Sequence, residues 1–441
     1  MNSRLVKTIK RSVPDPLIRR GRKLIDSIPT TPVNSPGGIR SEITRRLNRK
    51  SKFPYAEPFR AVENQSDIKL KLPILGSAVS VVAVKEGPKY VVGAIGTSKP
   101  ANRWLNDMLV TETRLYLDAR DRHVHALGSS EDPDEVIELF VSCVRMVLTT
   151  RLADESGKFD TGQNVSAYWS AGVVNFGDWS GPHIINRLTG RRPLLPNRVK
   201  LDPRVVYSVG SILGWFNRDN VDVWGSGLMR PFTDEEIASR RKLTGIRIHA
   251  VRGKITQQHL VEQIGWDVPD TYGDPALLLP RLYTPHRAGQ GKVAFTPHGN
   301  HQKYFAKHIL GDVNFVNVKA DLRDVVDAVA GARAVVSTSL HGLIIAQAYQ
   351  IPWVWLRIDD HPLWGADFKF EDFFSTLDNS GISRASISIQ DLPEVDIEAL
   401  AENAHLPALA VDLDKLQNSL PTPIATGVTL PLPAKKIDHP L

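Results

Sequence analysis

The sequence lacks the residues and segments that mark several protein classes. Cys143 is the single cysteine among 441 residues, so the chain can form no internal disulfide and no cysteine-rich metal site. The longest apolar run, around residues 73–84, is too short to span a bilayer. The basic N-terminus lacks the apolar core of a secretory signal. These absences predict a soluble, cytoplasmic protein in a reducing compartment.

Signatures of nucleotide and metal binding are also missing. The sequence has no P-loop, no Gly-x-Gly-x-x-Gly after a predicted strand, and only a Gly-Ser-Gly turn at 225–227. His298 and His301 have a spacing that could suit a metal, but no third ligand is suitably placed near them. We therefore predict no metal site and no required cofactor.

The charge is concentrated at the N-terminus. The net charge is +7, but residues 1–53 carry 14 Lys/Arg against three acidic residues, so this segment holds +11 and the rest −4. We predict that residues 1–52 form a basic flexible tail, with peripheral contact to an anionic membrane as a second hypothesis. No aromatic residues alternate with the charges, which argues against nucleic acid.

Residues 53–160 have the pattern of an α+β unit of unknown role. Two β-rich runs joined by "KEGP" predict a hairpin. Asp132 is a potential N-cap for a long helix with Pro133 in its first turn. His123 and His125 alternate with apolar residues, which predicts exposed positions on a strand.

From Val165 onward, short apolar runs alternate with helical stretches, as in parallel α/β domains. The predicted fold class is α/β, with two Rossmann-like domains that face a cleft. We place them at residues 161–285 and 286–420, followed by a Pro-rich tail at 421–441. Ligands of such sheets bind beyond the carboxyl ends of strands, so the loops at those ends are the first places to seek a site.

The segment at 335–356 has a strand, a turn and an apolar helix. Ser339 ends a run of three hydroxyl residues, and we expect the helix to begin near Leu340. Its free amides would form an anion site, and Gly342 would permit a close approach. A nearby anion would favour the imidazolium of His341 and make it a proton donor. The alternative is a structural histidine that caps the loop.

Basic and hydroxyl residues follow another predicted strand. Arg252 lies at the strand end, Lys254 comes two residues later, and Thr256 is a potential helix cap. Guanidinium groups fit carboxylates and phosphates, which favours an anion-binding role for Arg252. The alternative is a surface arginine in a turn.

Acidic residues occur in two further loops. Asn175 and Asp178 lie where the first α/β strand passes into a helix. Asp178 could be a general base, a ligand of a sugar hydroxyl, or only a helix cap. Asp274 precedes Pro275, an arrangement typical of a structural N-cap.

Seven segments, in this order, resemble the polysaccharide pyruvyl transferase family, and in particular bacterial ketal-forming exopolysaccharide enzymes. They cover about half of the chain, from 165 to 377, and read "NFGDWSGPHIINRL", "VWGSGLM", "HAVRGKIT", "GDPALLLP", "TPHGN", "STSLHGLIIAQAYQIPWVWL" and "FKFEDFF". The resemblance implies a fold similar to the two-domain (GT-B-like) glycosyltransferases and phosphoenolpyruvate as donor. Many members have Arg where this chain has Ser339; Arg252, Lys254, Arg357 or the helix N-terminus would have to compensate.

The resemblance implies transfer of pyruvate from phosphoenolpyruvate to hydroxyls of a surface polysaccharide or its precursor, free or lipid-linked, as a ketal. On this basis His341 is the expected acid and Arg252 the anion clamp. Asp178, with Asn175, is expected on the acceptor side, with Asp178 as base. The other substrate-binding candidates are Lys254, Ser339, Leu340, Gly342 and His298.

Two alternatives stay open. One is a nucleotide-sugar-dependent glycosyltransferase of the same architecture, in which Glu371 or Asp372 would bind the donor ribose. The other is a non-catalytic carbohydrate-binding relative, with Ser339 marking a lost donor site. The presence of His341, Arg252 and Asp178 argues against the second alternative.

Overall fold

The computed structural model describes the chain in three stretches. They are residues 38–48, 61–156 without 65, 73 and 75–77, and 160–421 without 161, 173, 199–203, 287–290, 306–311 and 366. Most of the predicted basic tail and nearly all of the predicted Pro-rich tail lie outside these residues. The chain forms two compact units, of which the first holds the described residues up to Asp160 and the second nearly all later ones.

The first unit is an antiparallel sheet with three helices. Its strands are β1 (Val62–Glu63), β2 (Asp67–Leu72), β3 (Val79–Glu86), β4 (Lys89–Gly96), β5 (Arg114–Leu117) and β6 (His123–Ser130). Its helices are α1 (Ile39–Asn48), α2 (Lys99–Leu109) and α3 (Pro133–Ser156). The strand order is β1-β2-β3-β4-β6-β5, and every neighbouring pair is antiparallel.

Two local predictions for this unit are confirmed. Strands β3 and β4 pair as a hairpin, and Gly87 in their turn has φ +60°, a conformation that favours glycine. Helix α3 begins at Pro133, and Asp132 Oδ1 accepts a hydrogen bond from the Asp134 amide at 2.9 Å. Turn and cap residues therefore fixed these local features as expected.

The predicted flexible tail reached residue 52, but α1 lies within it. The apolar Ile43 and Leu47 are fully buried, and they lie on one side of the helix. On the same side Arg46 is buried and paired with Glu42 at 2.9 Å and with Glu138 of α3. The many basic residues of the segment led to the prediction of a flexible tail, although four residues of this helix are buried.

The prediction for His125 was also wrong, because its side chain is buried rather than exposed. Its Nε2 lies 3.0 Å from Asn106 Oδ1, and its Nδ1 lies 3.2 Å from Thr113 Oγ1. Because both ring nitrogens have polar partners, the histidine can be buried without losing hydrogen bonds. Alternation within the strand did not reveal them.

The second unit holds two five-stranded sheets. Its strands are β7 (Asn164–Tyr168), β8 (Arg192–Leu194), β9 (Val205–Tyr207), β10 (Val221–Trp224), β11 (Arg247–Ala250), β12 (Val293–Thr296), β13 (Val313–Phe315), β14 (Ala334–Ser337), β15 (Trp353–Ile358) and β16 (Arg384–Ile387). Its α-helices are α4 (Phe176–Thr189), α5 (Asp234–Arg240), α6 (Lys254–His259), α7 (Gln302–Phe305), α8 (Leu322–Ala330), α9 (Leu340–Ala348), α10 (Phe368–Phe374), α11 (Ile397–Ala401) and α12 (Leu413–Asn418).

Both sheets are parallel and have the same topology. The orders are β8-β7-β9-β10-β11 and β13-β12-β14-β15-β16, so each sheet runs 2-1-3-4-5 in its own sequence order. The predicted α/β class with parallel sheets is confirmed. In this topology the chain reverses its winding between the first and third strands, and ligands favour the crevice there. These switch points lie between β7 and β9 and between β12 and β14.

The central strands β12 and β14 of the second sheet are buried on both faces, as is typical of parallel sheets. All residues of β12 and β14 are buried, and the core includes Phe295, Val336 and Leu356. Helix α10 packs its aromatic residues onto this sheet, with Phe370 stacked on Trp355 at a centroid distance of 4.7 Å. Among the described residues, no helix combines the length and hydropathy needed to cross a membrane.

Candidate active site

Side chains from both switch points meet in the second unit. Asp178 lies in the first turn of α4 after β7, Gly210 lies in the loop after β9, and His341 lies in the first turn of α9 after β14. A Cβ on Gly210 would lie 3.6 Å from Asp178 Oδ1 and 3.8 Å from His341 Cε1. Gly210 has φ +101°, so its backbone requires glycine and keeps this position open.

The helices α4 and α9 begin next to each other. Asn175 caps α4, and its Oδ1 accepts the Gly177 amide at 3.0 Å. The Phe176 amide donates to the Val318 carbonyl after β13 at 3.0 Å, which ties α4 to the second sheet. A Cβ on Gly177 would overlap the His341 imidazole, so the ring packs directly on the α4 backbone. Two positive helix ends therefore converge on His341.

Ser339 is the N-cap of α9, as predicted, but its side chain makes no capping hydrogen bond. Its own amide is taken by Ser337 Oγ at 2.9 Å. The amides of Leu340, His341 and Gly342 lie in the first turn, where a helix supplies no acceptor. Gly342 packs against Thr296 and Ser337 so closely that a Cβ would overlap both hydroxyls.

Lys369 on α10 is the charged residue with the largest effect on Asp178 and His341, and no sequence motif pointed to it. Its side chain is 6% exposed. No hydrogen bond or ion pair links its ammonium to another residue in the described part of the chain; its recorded contact is with the Phe370 ring at 5.5 Å. Its charge lowers the pKa values of Asp178, His341 and His298. We call Asp178, His298, His341 and Lys369 the switch-point cluster.

Asp178 and Lys369 both change protonation near neutral pH. Burial raises the pKa of the Asp178 carboxyl to about 7, although the Lys369 charge opposes the shift. Burial and the nearby Arg252 lower the pKa of Lys369 to about 8, and Asp178 opposes that shift. At pH 7 the carboxyl is therefore about half protonated, while most of the lysine is charged.

His341 is neutral in this environment. Burial, together with the charges of Lys369 and Arg252 and the nearby His298, lowers its pKa to about 3. The expected imidazolium would therefore depend on a bound anion. The His341 Nε2 is buried and lacks a hydrogen-bond partner in the described residues. His298 is likewise neutral, with a pKa near 3 for the same main reason. A neutral imidazole can accept a proton, whereas it cannot supply one.

Arg252 is fully buried and its donors are engaged. Its Nε donates to Asp372 Oδ2 at 2.9 Å, Nη2 donates to the Leu228 carbonyl at 2.7 Å, and Nη1 donates to Ser211 Oγ. Its guanidinium lies against Gly227, where a Cβ would overlap it. The Gly-Ser-Gly turn thus makes room for an arginine. In this arrangement the Arg252 guanidinium is bound to Asp372 and does not lie open to an anion, as an anion clamp would.

Asp372 completes this buried ion pair. Besides Arg252, it accepts the Thr256 amide at 2.7 Å and the Thr256 hydroxyl at 2.8 Å. Thr256 was predicted to cap α6, but the N-cap is Gly253, and Thr256 lies inside the helix. Asp274 does cap the helical turn Pro275–Arg281, as predicted, and it also accepts the Gly210 amide at 3.5 Å.

Lys254 is not brought to the cluster. It is exposed at the start of α6, and it is not among the charges that shift the pKa values of Asp178, His341 or Lys369. Arg357 is 45% exposed and paired with Asp359 and Asp367. Neither residue therefore replaces the arginine that many family members carry at position 339.

The two histidines considered for a metal have other partners. His301 is buried, with Nδ1 at 3.0 Å from Thr338 Oγ1 and Nε2 at 3.0 Å from the His361 carbonyl. The His298 Nδ1 accepts the Asn300 amide at 3.2 Å. Among the described residues, no three His, Cys, Asp or Glu side chains form a cluster that could hold a metal.

The residues proposed for a nucleotide ribose are also engaged. Asp372 is fully buried on Arg252, and Glu371 pairs with Arg384 through both carboxylate oxygens. Asp372 is therefore unavailable to ribose hydroxyls, whereas the Glu371 oxygens retain lone pairs beyond their bonds to Arg384. The glycosyltransferase alternative consequently rests on Glu371 and no longer on Asp372.

Comparisons with known proteins give a family match for part of the chain. Residues 201–360 match the family described as polysaccharide pyruvyl transferase, and the resemblance is confirmed over this part of the chain. The matched segment contains Arg252, His298 and His341, whereas Asp178 and Lys369 lie outside it.

One curated relative is an uncharacterized protein of Acanthamoeba polyphaga mimivirus. It is 27% identical over 212 residues, which cover 43% of this chain and 70% of the relative. No solved structure gives a significant match.

Replacing one partner of the buried ion pair should destabilise the protein strongly. We expect Arg252→Ala to lower the free energy of unfolding by about 3–5 kcal/mol, because Asp372 would remain buried without its counter-charge. The double variant Arg252→Ala with Asp372→Ala should lose less than the sum of the two single variants. Urea unfolding of all four proteins measures this coupling, and strictly additive losses would contradict the pairing.

Proposed function

We propose that the protein transfers the pyruvyl group of phosphoenolpyruvate to two hydroxyls of a sugar in a polysaccharide or its precursor, with release of phosphate. The observation that carries this proposal is the Lys369 ammonium, which is buried without a paired anion among the described residues. Lys369 lies close to two converging helix N-termini, a half-protonated carboxyl and a neutral histidine. The family match over 201–360 supports a transferase that acts on saccharides.

Phosphoenolpyruvate suits the charge of the switch-point cluster. Its phosphate and carboxylate would contact the Lys369 ammonium and the first-turn amides of α9, a combination that favours anions. The Arg252 charge is already balanced by Asp372. Lys369 is therefore the residue whose positive charge would bind the anionic donor. This arrangement removes the need for an arginine at Ser339.

The reaction requires one proton donor and one proton acceptor. A proton adds to the methylene carbon of the donor, C2 becomes electrophilic, and the first sugar hydroxyl bonds to C2 as it loses its proton. The C2–O bond to phosphate then breaks, and the second hydroxyl closes the ketal. Of the two hydroxyl protons, one ends on the new methyl group and the other on phosphate, so the atoms balance.

We assign Asp178 as the proton donor and His341 as the acceptor, the reverse of the sequence-based expectation. Asp178 holds a proton near neutral pH because of burial, and a bound anionic donor would raise its pKa above about 7. His341 is neutral before the donor binds, and its Nε2 has no hydrogen-bond partner in the described residues. A bound anionic donor would raise its low pKa and so let it take the proton of a hydroxyl. Their proximity at Gly210 would allow Asp178 to reach the methylene carbon of a bound donor while His341 reaches the attacking hydroxyl.

The proposal includes the expected GT-B-like arrangement, with the donor held mainly by the second sheet and the acceptor approached from the loops of the first. Two sheets of identical topology, each contributing from its switch point, support this view. A lipid-linked acceptor and a membrane contact through the basic tail belong to the same proposal. The tail lies almost wholly outside the described residues.

Lys369 and Lys254 provide a matched test of donor binding. We expect Lys369→Gln to weaken phosphoenolpyruvate binding at least about tenfold, because a buried charge-assisted contact contributes roughly 1.5–3 kcal/mol. Lys254→Gln should leave the affinity unchanged, since that lysine is exposed and apart from the cluster. Calorimetric titration decides the matter; equal losses in both variants, or none in either, would count against the assignment.

The pH dependence of donor affinity should report Lys369. Below pH 8 the ammonium is mostly charged, and above it the charge is lost, so affinity should fall as the pH rises through about 8. Lys369→Arg should retain binding at pH 9 because arginine remains charged there. Calorimetry from pH 6 to about pH 9.5 tests this, and an unchanged alkaline decline in the variant would assign it to another group.

Gly177 should be essential for the position of His341. A Cβ there would overlap the imidazole, so Gly177→Ala should displace the ring and reduce kcat/KM roughly 100-fold, as misplaced catalytic groups do. Gly172→Ala is the control, because a Cβ at this exposed position meets nothing within 4 Å. Phosphate release from phosphoenolpyruvate with a saccharide acceptor is the assay, and equal activity of both variants would refute the role of this contact.

A further inference from the structure

A cavity lies beside the switch-point cluster at the carboxyl ends of β14 and β15. Its volume is about 130 Å³, and polar residues that line it include His301, Thr338, Arg357, Asp359 and Asp367. Its apolar wall is formed by Trp355, Pro362, Leu363 and Phe370, among others. The reaction described above assigns no role to this cavity.

The cavity and the cluster share two chain segments. Thr338 lines the cavity and comes three residues before His341, and its hydroxyl accepts the His298 amide at 2.8 Å. Phe370 lines the cavity and follows Lys369 directly. The cavity is therefore connected to the cluster through the Thr338–His298 hydrogen bond and through helix α10.

The charges that line the cavity differ from those of the cluster. Arg357 contacts Asp359 at 3.1 Å and Asp367 at 3.1 Å, so its charge is already balanced by two carboxylates. Both carboxylates are about half exposed and retain oxygens that can accept hydrogen bonds. Such a lining repels a second anion and favours a neutral ligand with several hydroxyl groups.

The size of the cavity suits one ring. An apolar cavity of about 150 Å³ holds a benzene molecule, so a cavity of about 130 Å³ encloses part of the bulkier hexopyranose and leaves the rest of the sugar in solvent. The loop that contributes Pro362 and Leu363 also carries Trp364, whose side chain is 60% exposed. Arg230 covers one part of its ring at 5.7 Å. An exposed indole offers a flat surface on which the C–H face of a neighbouring sugar can stack.

We propose that this cavity binds one sugar ring of the acceptor, with Asp359 and Asp367 accepting hydrogen bonds from its hydroxyls and Trp364 contacting the adjoining ring. The inference rests on the proposed function, because it supplies the saccharide site that pyruvyl transfer requires. It adds the class of ligand, a neutral hexopyranoside, and the residues that recognise it. The donor and acceptor sites are thus distinguished by charge.

The test uses saturation-transfer NMR on the full-length protein with methyl glycosides of glucose, galactose and mannose. At least one glycoside should bind the wild type. Leu363→Trp, which fills the cavity, should abolish that binding, and Asp359→Asn should weaken it about tenfold. Asp312→Asn is the control, because Asp312 lies before β13 at the opposite end of the same sheet and should leave binding unchanged.

Three outcomes would overturn the inference. They are the absence of binding by all three glycosides, equal binding by wild type and Leu363→Trp, and binding of UDP or GDP that Leu363→Trp abolishes, which would make the cavity a nucleotide site. Thermal unfolding of each variant verifies that it is folded. Calorimetry with phosphoenolpyruvate on the same proteins is a separate readout, so failure of the donor proposal is distinguishable from failure of this one.

Discussion

The buried ion pair between Arg252 and Asp372 is the interaction on which the site depends. It joins the loop after β11 to helix α10, and both side chains are fully buried. Asp372 and Lys369 are three positions apart on α10, a spacing that places them on neighbouring positions of the helix surface. By fixing the helix, the pair also fixes the lysine within range of Asp178 and His341. The Arg252–Asp372 pair costs desolvation energy, but it positions the charge of Lys369. Lys369 itself has no paired anion among the described residues.

The switch-point cluster lowers the stability of the fold at neutral pH. The pKa of Lys369 falls from 10.5 to about 8, so folding disfavours its charged form, and this penalty is complete below pH 8. The pKa of Asp178 rises from 3.8 to about 7, so its penalty is absent below about pH 4 and complete above pH 7. Such shifted pKa values cost folding free energy, and they are typical of functional sites, where binding or catalysis requires them. The burial of apolar side chains in the two sheets offsets this local cost.

Periodicity and cap residues predicted much of the fold, whereas long-range partners decided the rest. The α/β alternation, the β3–β4 hairpin and the starts of α3 and α9 follow from local sequence. Lys369 could not be found in this way, because a lysine in "FKFEDFF" has the pattern of an exposed helix position. Its burial follows from a contact between residues 120 positions apart, Arg252 and Asp372. Local sequence likewise predicts an open anion-binding Arg252, because the contact with Asp372 is long-range. Asp178 and His341 meet because of the strand order, which local sequence does not define.

A crystal structure with bound phosphoenolpyruvate would test the central claim most directly. The account predicts that the phosphate or carboxylate lies within hydrogen-bond distance of Lys369 Nζ and the first-turn amides of α9. Arg252 should keep its ion pair with Asp372. If Arg252 instead leaves Asp372 and binds the donor, with Lys369 turned away, the division between a positioning arginine and a binding lysine is wrong.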